Sequence, residues 1–216
     1  MDVRAISDLR ELARRDDELA ADAGRLRRLD AEVAAIRTRA ECIDAFFAAY
    51  PAAEAKSDGA VRSAAAELEL RRAELAAAAT EVENLRDERQ RELAERAVAR
   101  AADRVSAAEA HLARTTAERA ELERDAATFP AEVPGLTERA RSVSEQLPEV
   151  AAPGDGLRPL IDWCSHAHAE LFVVTGQLDA TRERIVREAN ELASMLLGDP
   201  TYGSTVAQAL ARVESH

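Results

Sequence analysis

The sequence predicts an all-α protein, an elongated antiparallel coiled-coil helical bundle of three long helices and two short ones. Two observations carry this prediction. Large apolar residues recur at seven-residue intervals, as at Leu12, Leu19, Leu26 and Val33, which is the heptad pattern of coiled coils. In addition, Ala, Glu, Arg and Leu dominate and aromatic residues make up only 3%. That composition is typical of long helices and too poor in large side chains for a thick globular core.

The first helix is predicted over about residues 3–53. Its heptads are cleanest after Leu26, where a companion stripe follows three residues on. The companion positions there are Leu29, Ile36, Ile43 and Tyr50. Before Leu26 the same positions hold Arg15 and Asp22, so we expect looser packing and a place where a third helix or a partner docks.

The second helix is predicted over about residues 60–128, after a break at Pro51 and residues 54–59. A connection this short favours antiparallel neighbours. Residues 1–129 are therefore expected to form a long helical hairpin. The aromatic residues near the break are expected to fill its tip; they are Phe46, Phe47 and Tyr50.

The heptad phase of this second helix slips between Arg86 and Glu95. Because no proline or glycine lies there, we interpret the slip as a stutter inside one continuous helix. The stutter, near Arg89, is a second position at which a partner is expected to dock.

Residues 130–156 are rich in proline and glycine and form the predicted connection to the rest of the chain. The preceding helix is expected to end at Pro130, because a proline restrains the residue before it to extended conformations. One short helix is expected inside the connection, at about residues 135–147.

Residues 157–216 are predicted to contain a long returning helix, at about 157–197, and a short C-terminal helix, at about 205–214. Asp155 is a candidate N-cap for the long helix, and Gly198 is expected to end it. A capping box, Thr205-x-x-Gln208, is expected to begin the short one.

The best candidate for chemistry is the segment 162–168, Asp-Trp-Cys-Ser-His-Ala-His. Cys164 and His168 lie four residues apart and so share one helical face, as metal ligands on a helix must. Zn²⁺ needs three or four ligands, and Cys42 could add one or form a redox pair with Cys164. We prefer ordinary packing, because Cys164 occupies a heptad core position, where a free cysteine behaves as a small apolar side chain. Trp163 is expected to anchor the connection or to contact a partner.

The net charge of −12 argues against nucleic-acid binding, which depends on basic surfaces, and against anionic membrane surfaces. No apolar run reaches the roughly 18 residues of a membrane span, and the charged start MDVRAISDLREL does not match a signal peptide. Two distant cysteines form no disulfide framework. These features lead us to expect a cytoplasmic location.

The expected function is that of a non-enzymatic coiled-coil scaffold that mediates protein–protein contacts, including self-association. No catalytic, cofactor-binding or metal residue is assigned. The alternative is a membrane-associated or self-assembling helical-hairpin protein. Nucleic-acid association and a metal site on Cys164 and His168 are minor possibilities.

Overall fold

The computed structural model describes residues 3–147, 149–200 and 203–215. Over these residues the chain forms four helices and no strand. The helices are α1 (Val3–Asn84), α2 (Glu88–Ser144), α3 (Leu157–Leu197) and α4 (Val206–Glu214). The predicted all-α class is confirmed.

The first correction concerns the expected break between residues 53 and 60. α1 is helical throughout Val3–Asn84, with Pro51 inside it. A proline in a helix interior costs about 3 kcal/mol, because it removes a hydrogen bond and crowds the preceding turn. Here the proline is exposed, and the inward stripe keeps its phase across it. Ile43, Tyr50, Ser57 and Ala64 follow at seven-residue steps and none of them is exposed, so packing on both sides offsets the local cost.

The second correction concerns the stutter, because the chain breaks there, at residues 85–87. Asp87 provides the start signal for α2: its Oδ1 accepts a hydrogen bond from the backbone N–H of Gln90 at 2.9 Å. Arg91 Nη2 also donates to the carbonyl oxygen of Leu85 at 3.0 Å. The prediction of one continuous helix over residues 60–128 is therefore wrong. The capping side chain of Asp87 lies where the heptad stripe loses its phase.

The third correction concerns Pro130. α2 continues through Pro130 and Pro134 to Ser144, so neither a helix end at Pro130 nor a separate helix at residues 135–147 is present. Both prolines are exposed, and the stripe continues seven and fourteen residues beyond Phe129 at buried Leu136 and Val143. The connection between α2 and α3 is thereby reduced to residues 145–156.

The described chain divides into two compact units, of which the first comprises Met1–Glu41 and Val133–His216. Part of its core joins α1 to α3 and α4. The buried residues of this cluster are Leu9, Ile185, Ala189, Ala193, Val206, Ala209 and Val213. Three polar pairs among the described residues link α1 to α3, and the residue number of the α3 partner falls as that of the α1 partner rises. These pairs are Asp16–Arg182, Arg27–Asp179 and Asp30–His168.

The inward stripe at the start of α1 differs from the expected one. Arg15 and Asp22 are exposed, whereas Leu9, Asp16 and Ala23 are buried at seven-residue steps. The predicted companion positions were thus displaced by one residue. The charged side chain that the core contains is Asp16, whose Oδ1 accepts a hydrogen bond from Arg182 Nε at 2.8 Å.

α3 covers the same residues as the returning helix expected from the sequence, and its ends show why. Gly198 adopts the left-handed conformation, with φ 68°, and its N–H donates to the carbonyl oxygen of Ser194, as in a helix C-cap. At the other end the N-cap is Gly156, with φ 103°. Asp155 does not cap α3; its carboxylate instead accepts a hydrogen bond from Arg141 Nη2 at 2.7 Å.

α4 begins at the predicted N-cap, Thr205, but the second bond of the capping box is different: Gln208 Oε1 accepts a hydrogen bond from the backbone N–H of Ser204 at 2.8 Å. Thr205 Oγ1 accepts a hydrogen bond from the backbone N–H of Gln208 at 3.2 Å. The side chain of Asn190 on α3 holds the preceding turn, since it donates to the carbonyl oxygen of Gly203 at 2.9 Å and accepts from its N–H at 2.8 Å. These two bonds fix the turn that returns α4 onto α3.

The second unit comprises Cys42–Glu132 and has a narrow core of small side chains. Its buried residues are Ile43, Ala64, Leu68, Ala101, Ala108 and Thr115. Phe46 lies within α1 rather than at a hairpin tip, and its ring centroid is 4.7 Å from that of Phe129. Two ion pairs, Asp58–Arg119 and Arg72–Glu109, also join α1 to α2. Here too, the residue number of the α2 partner falls as that of the α1 partner rises.

Candidate functional site

The two candidate metal ligands of the segment 162–168, Cys164 and His168, lie in different environments. Cys164 is fully buried, and burial raises the pKa of its thiol to about 11, with Arg37 opposing the rise and Glu41 reinforcing it. His168 is half-exposed, and its Nδ1 lies 2.6 Å from Asp30 Oδ1. A protonated thiol is a poor nucleophile and a poor metal ligand. Within the residues that the structure describes, no three His, Cys, Asp or Glu side chains are grouped to hold a metal ion.

Trp163 has the anchoring role that was one of its two expected roles. Its side chain is 7% exposed, and its indole Nε1 donates a hydrogen bond to the carbonyl oxygen of Ala151 at 2.7 Å. Pro153 and Val150 in the same connection are also buried. The single tryptophan therefore fastens the 145–156 connection onto α3.

The outward side of α3 is an apolar face without charge. We call it the Phe172 face. It consists of Ser165, Ala169, Phe172, Val173, Gly176, Gln177 and Ala180, all of which are exposed. Phe172 is 75% exposed and Val173 is 50% exposed. In a chain of which 32% of residues are charged, this side of the turns carries no Asp, Glu, Lys or Arg; Glu170 and Asp179 flank it, and exposed His166 lies on it two turns before Val173. A Cβ added at Gly176 meets no atom within 4 Å, so the space beside Phe172 is open.

The sequence does not reveal this face when apolar residues are counted without regard to direction. Phe172 and Val173 then only broaden the apolar side of α3. Successive helix residues are rotated by about 100°, so Phe172 and Val173 lie 100° and 200° from buried Leu171. The Leu171 direction is the one that α1 covers. A projection that used the heptad stripe as its reference would have placed Phe172 on the far side.

A groove of about 320 Å³ lies beside the Phe172 face, in the same unit. Its apolar lining comes from α1, the 145–156 connection and α3, and consists of Leu26, Leu147, Val150, Leu171, Val174 and Leu178. Asp22 lies at its rim with Arg25, 3.6 Å away. Asp22, which the sequence marked as a docking position within the helix stripe, thus borders an open groove and is not part of the stripe.

The second unit exposes three large apolar residues, Phe47, Leu70 and Leu93, of which Leu70 and Leu93 are the most exposed, at 55% and 58%. Each of these two leucines stands alone among charged neighbours in the sequence, and isolated exposed apolar residues are ordinary on protein surfaces. Leu93 is therefore a suitable control position for exposed apolar residues of the first unit.

No protein-family model matches this chain, and neither a curated protein nor a solved structure matches it. Among the described residues, no helix has both the length and the apolar character needed to cross a membrane. The functional proposal consequently depends on the surfaces themselves.

Proposed function

We propose that this chain is a non-enzymatic scaffold of antiparallel coiled-coil helices that self-associates through the Phe172 face. The observation that carries the proposal is Phe172 itself, 75% exposed at the centre of an uncharged helical surface. Burying a phenylalanine side chain fully contributes about 1.5–3 kcal/mol. A side chain left in water at that cost points to a binding surface.

The antiparallel coiled-coil arrangement is supported by the order of the helix-to-helix pairs. In each unit the residue number of the partner falls as the residue number in α1 rises, as it does for antiparallel helices. Heptad stripes that continue across Pro51 and Pro130 supply the repeating inward side chains that coiled coils need.

Charge favours a second copy of the chain as the occupant of the Phe172 face. Two molecules that each carry −12 repel one another wherever charged faces meet. Over residues 165–180 two copies can approach without bringing acidic groups together, and the exposed acids Asp162 and Glu183 lie one turn beyond the two ends of that contact. A surface without acids is therefore favoured for contact between two copies.

The pattern along the face also suits a two-fold contact between antiparallel copies of α3. With the axis between Phe172 and Val173, Ala169 of one copy faces Gly176 of the other, and Ser165 faces Ala180. Small residues then flank a large central pair on both sides, which lets the helices approach closely. An isologous contact needs such self-complementarity.

A non-enzymatic role is supported by the chemistry of the same unit. The lining of the 320 Å³ groove is mainly aliphatic, and the Cys164 thiol is kept protonated by burial. General acid, base or nucleophilic work requires reactive groups with pKa values matched to their task.

The test is sedimentation velocity over a concentration series up to about 500 μM. One helical face is smaller than the roughly 800 Å² per partner of a standard interface, so we expect a weak dimer with Kd on the order of 10–100 μM. Phe172→Asp is expected to abolish it. Leu93→Asp adds the same charge at another exposed apolar residue and is expected to leave dimerisation unchanged. A wild-type chain that stays monomeric, or equal effects of the two variants, would refute the proposal.

A further inference from the structure

A second surface of the first unit differs from the Phe172 face in both charge and shape. It is a groove of about 380 Å³ between the start of α1 and the end of α3. We call it the Met195 groove. Its lining consists of Asp8, Glu11, Leu12, Glu188, Glu191, Leu192 and Met195. Leucine and methionine form its apolar part, and all of its charged residues are acidic.

Met195 is the prominent apolar residue of this groove. It is 73% exposed and also borders a shallower depression on the other side of α3, lined by Val186, Arg187 and Asn190 among others. Methionine is unbranched and polarisable, so it adapts its shape to apolar partners. An exposed methionine between two partly buried leucines is suited to receive an apolar side chain from a partner.

The acidic groups of the groove lack the partners that acids have elsewhere between α1 and α3. Further along these helices, each charged contact joins opposite charges, as in Asp16–Arg182 and Arg27–Asp179. At the groove, α1 contributes Asp8 and Glu11 while α3 contributes Glu188 and Glu191. Glu11 pairs with Arg14 of its own helix, but no basic side chain of the described residues pairs with Asp8, Glu188 or Glu191. The four carboxylates on the two walls give the groove a negative potential, which favours a cationic occupant.

We propose that the Met195 groove binds a basic amphipathic helix of a protein partner. An amphipathic helix places an apolar anchor in a groove and its flanking residues on the rim, at three- and four-residue spacings. Here the anchor contacts Met195, Leu12 and Leu192, and Lys or Arg residues on either side reach the α1 and α3 carboxylates. These carboxylates are not grouped to converge on one metal ion, which favours several separated charges over a single cation.

This inference is independent of self-association through the Phe172 face. The Met195 groove is acidic, so a second acidic copy is a poor occupant, whereas the Phe172 face has no charge with which to attract a basic helix. Phe172→Asp is accordingly expected to bind a basic peptide as the wild type does. Loss of self-association in that variant leaves the present proposal intact, and the converse also holds.

The binding test uses a fluorescent amphipathic peptide of about 18 Leu and Lys residues, which forms five helical turns. Fluorescence anisotropy with the full chain is expected to give saturable binding that weakens as NaCl is raised. The peptide with Glu in place of Lys, and a scrambled peptide of the original composition, are expected to bind at least about tenfold more weakly.

Variants of matched charge locate the binding. Glu188→Gln with Glu191→Gln removes two acids three residues apart and is expected to weaken binding about tenfold. Glu118→Gln with Glu121→Gln removes two exposed acids at the same spacing in the second unit, and is expected to change Kd by less than about twofold. Met195→Ala is expected to weaken binding about tenfold, while Leu93→Ala leaves it unchanged.

A direct measurement needs no disruptive variant. The chain has two methionines, Met1 and Met195, so ¹³C-methyl methionine labelling gives two signals, which Met195→Leu assigns. The Met195 signal is expected to shift in proportion to peptide bound. A Met195 signal that does not move, equal weakening by the two double Glu→Gln variants, or equal binding of the scrambled peptide would each overturn the proposal.

Discussion

Replacing Asp16 with alanine is expected to destabilise the first unit by about 1–2.5 kcal/mol. Asp16 lies in the buried stripe of α1 between Leu9 and Ala23, and its side chain is 8% exposed. Its bond to Arg182 is a charge-assisted hydrogen bond, worth about 1.5–3 kcal/mol. The Arg182 side chain is 29% exposed, so it regains water when its partner is lost. The cost therefore stays below the roughly 3–5 kcal/mol of a fully buried pair, and alanine returns up to about 0.7 kcal/mol through helix propensity.

The assay is urea unfolding followed by tryptophan fluorescence. The chain has one tryptophan, Trp163, which is buried in the first unit, so its emission reports on that unit specifically. The control is Glu18→Ala, which removes an exposed pair with Arg14, whose side chains are 62% and 59% exposed. That loss is expected to cost less than about 0.5 kcal/mol, as for most surface pairs.

A double variant, Asp16→Leu with Arg182→Met, tests the reasoning further. Replacing a buried pair by apolar residues of similar volume is often neutral or stabilising by about 1–4 kcal/mol. We expect this variant to be at least as stable as the wild type, with a less strictly defined pairing of α1 and α3, since polar core residues set register in coiled coils. The reasoning is refuted if Asp16→Ala behaves like Glu18→Ala, or if the double variant is as unstable as the single one.

Three further predictions follow from individual contacts. At pH 8, iodoacetamide should modify exposed Cys42 and spare buried Cys164 until urea is added. Burial raises the pKa of Cys164 in the folded chain to about 11, so this thiol ionises at lower pH in the unfolded chain. The free energy of unfolding should therefore fall as the pH rises from about 9 to 11. Pro51→Ala should raise the thermal midpoint, since alanine is favoured by about 3 kcal/mol in a helix interior, and an unchanged or lower midpoint would contradict a helix through this position. Asn190→Ala should cost about 1–3 kcal/mol by removing both bonds to Gly203, and hydrogen exchange should locate the loss in α4; uniform loss across α3 would argue against that role.

The helix boundaries show which sequence signal was the better guide. Pro51 and Pro130 predict helix ends because proline disfavours helix locally. Yet the heptad positions pass through both without a change of phase, from Ile43 to Ala64 and from Phe129 to Val143. Two helices joined by a hairpin turn need not share one heptad phase, whereas a continuous helix keeps the same heptad phase throughout. The phase changes at Arg86–Glu95, and the chain breaks at the edge of that interval, where Asp87 and Gln90 supply a capping signal that was overlooked.

The binding surfaces were harder to predict from the sequence than the helices, because one of them depends on how two helices pair. Exposure of Phe172 follows from the direction of one helix stripe, so the sequence contained enough information to find it. The Met195 groove is different, because Glu188 and Asp8 are far apart in the sequence. They share a groove only after α1 and α3 pair in one particular register, which a pattern read along a single helix does not determine.

The first unit has a buried core of its own and carries both proposed binding surfaces, so we expect it to fold and bind without the second. Glu32 of α1 pairs with Arg139 of α2 at 2.7 Å, so the two segments that flank the second unit, ending at Glu41 and beginning at Val133, run close together. A loop of about 2–8 residues joins such neighbours. A chain with residues 42–132 replaced by that loop is expected to keep the buried Trp163 emission, cooperative unfolding, and both self-association and peptide binding. Exposed Trp163 emission in the shortened chain would mean that the first unit depends on the second for its stability.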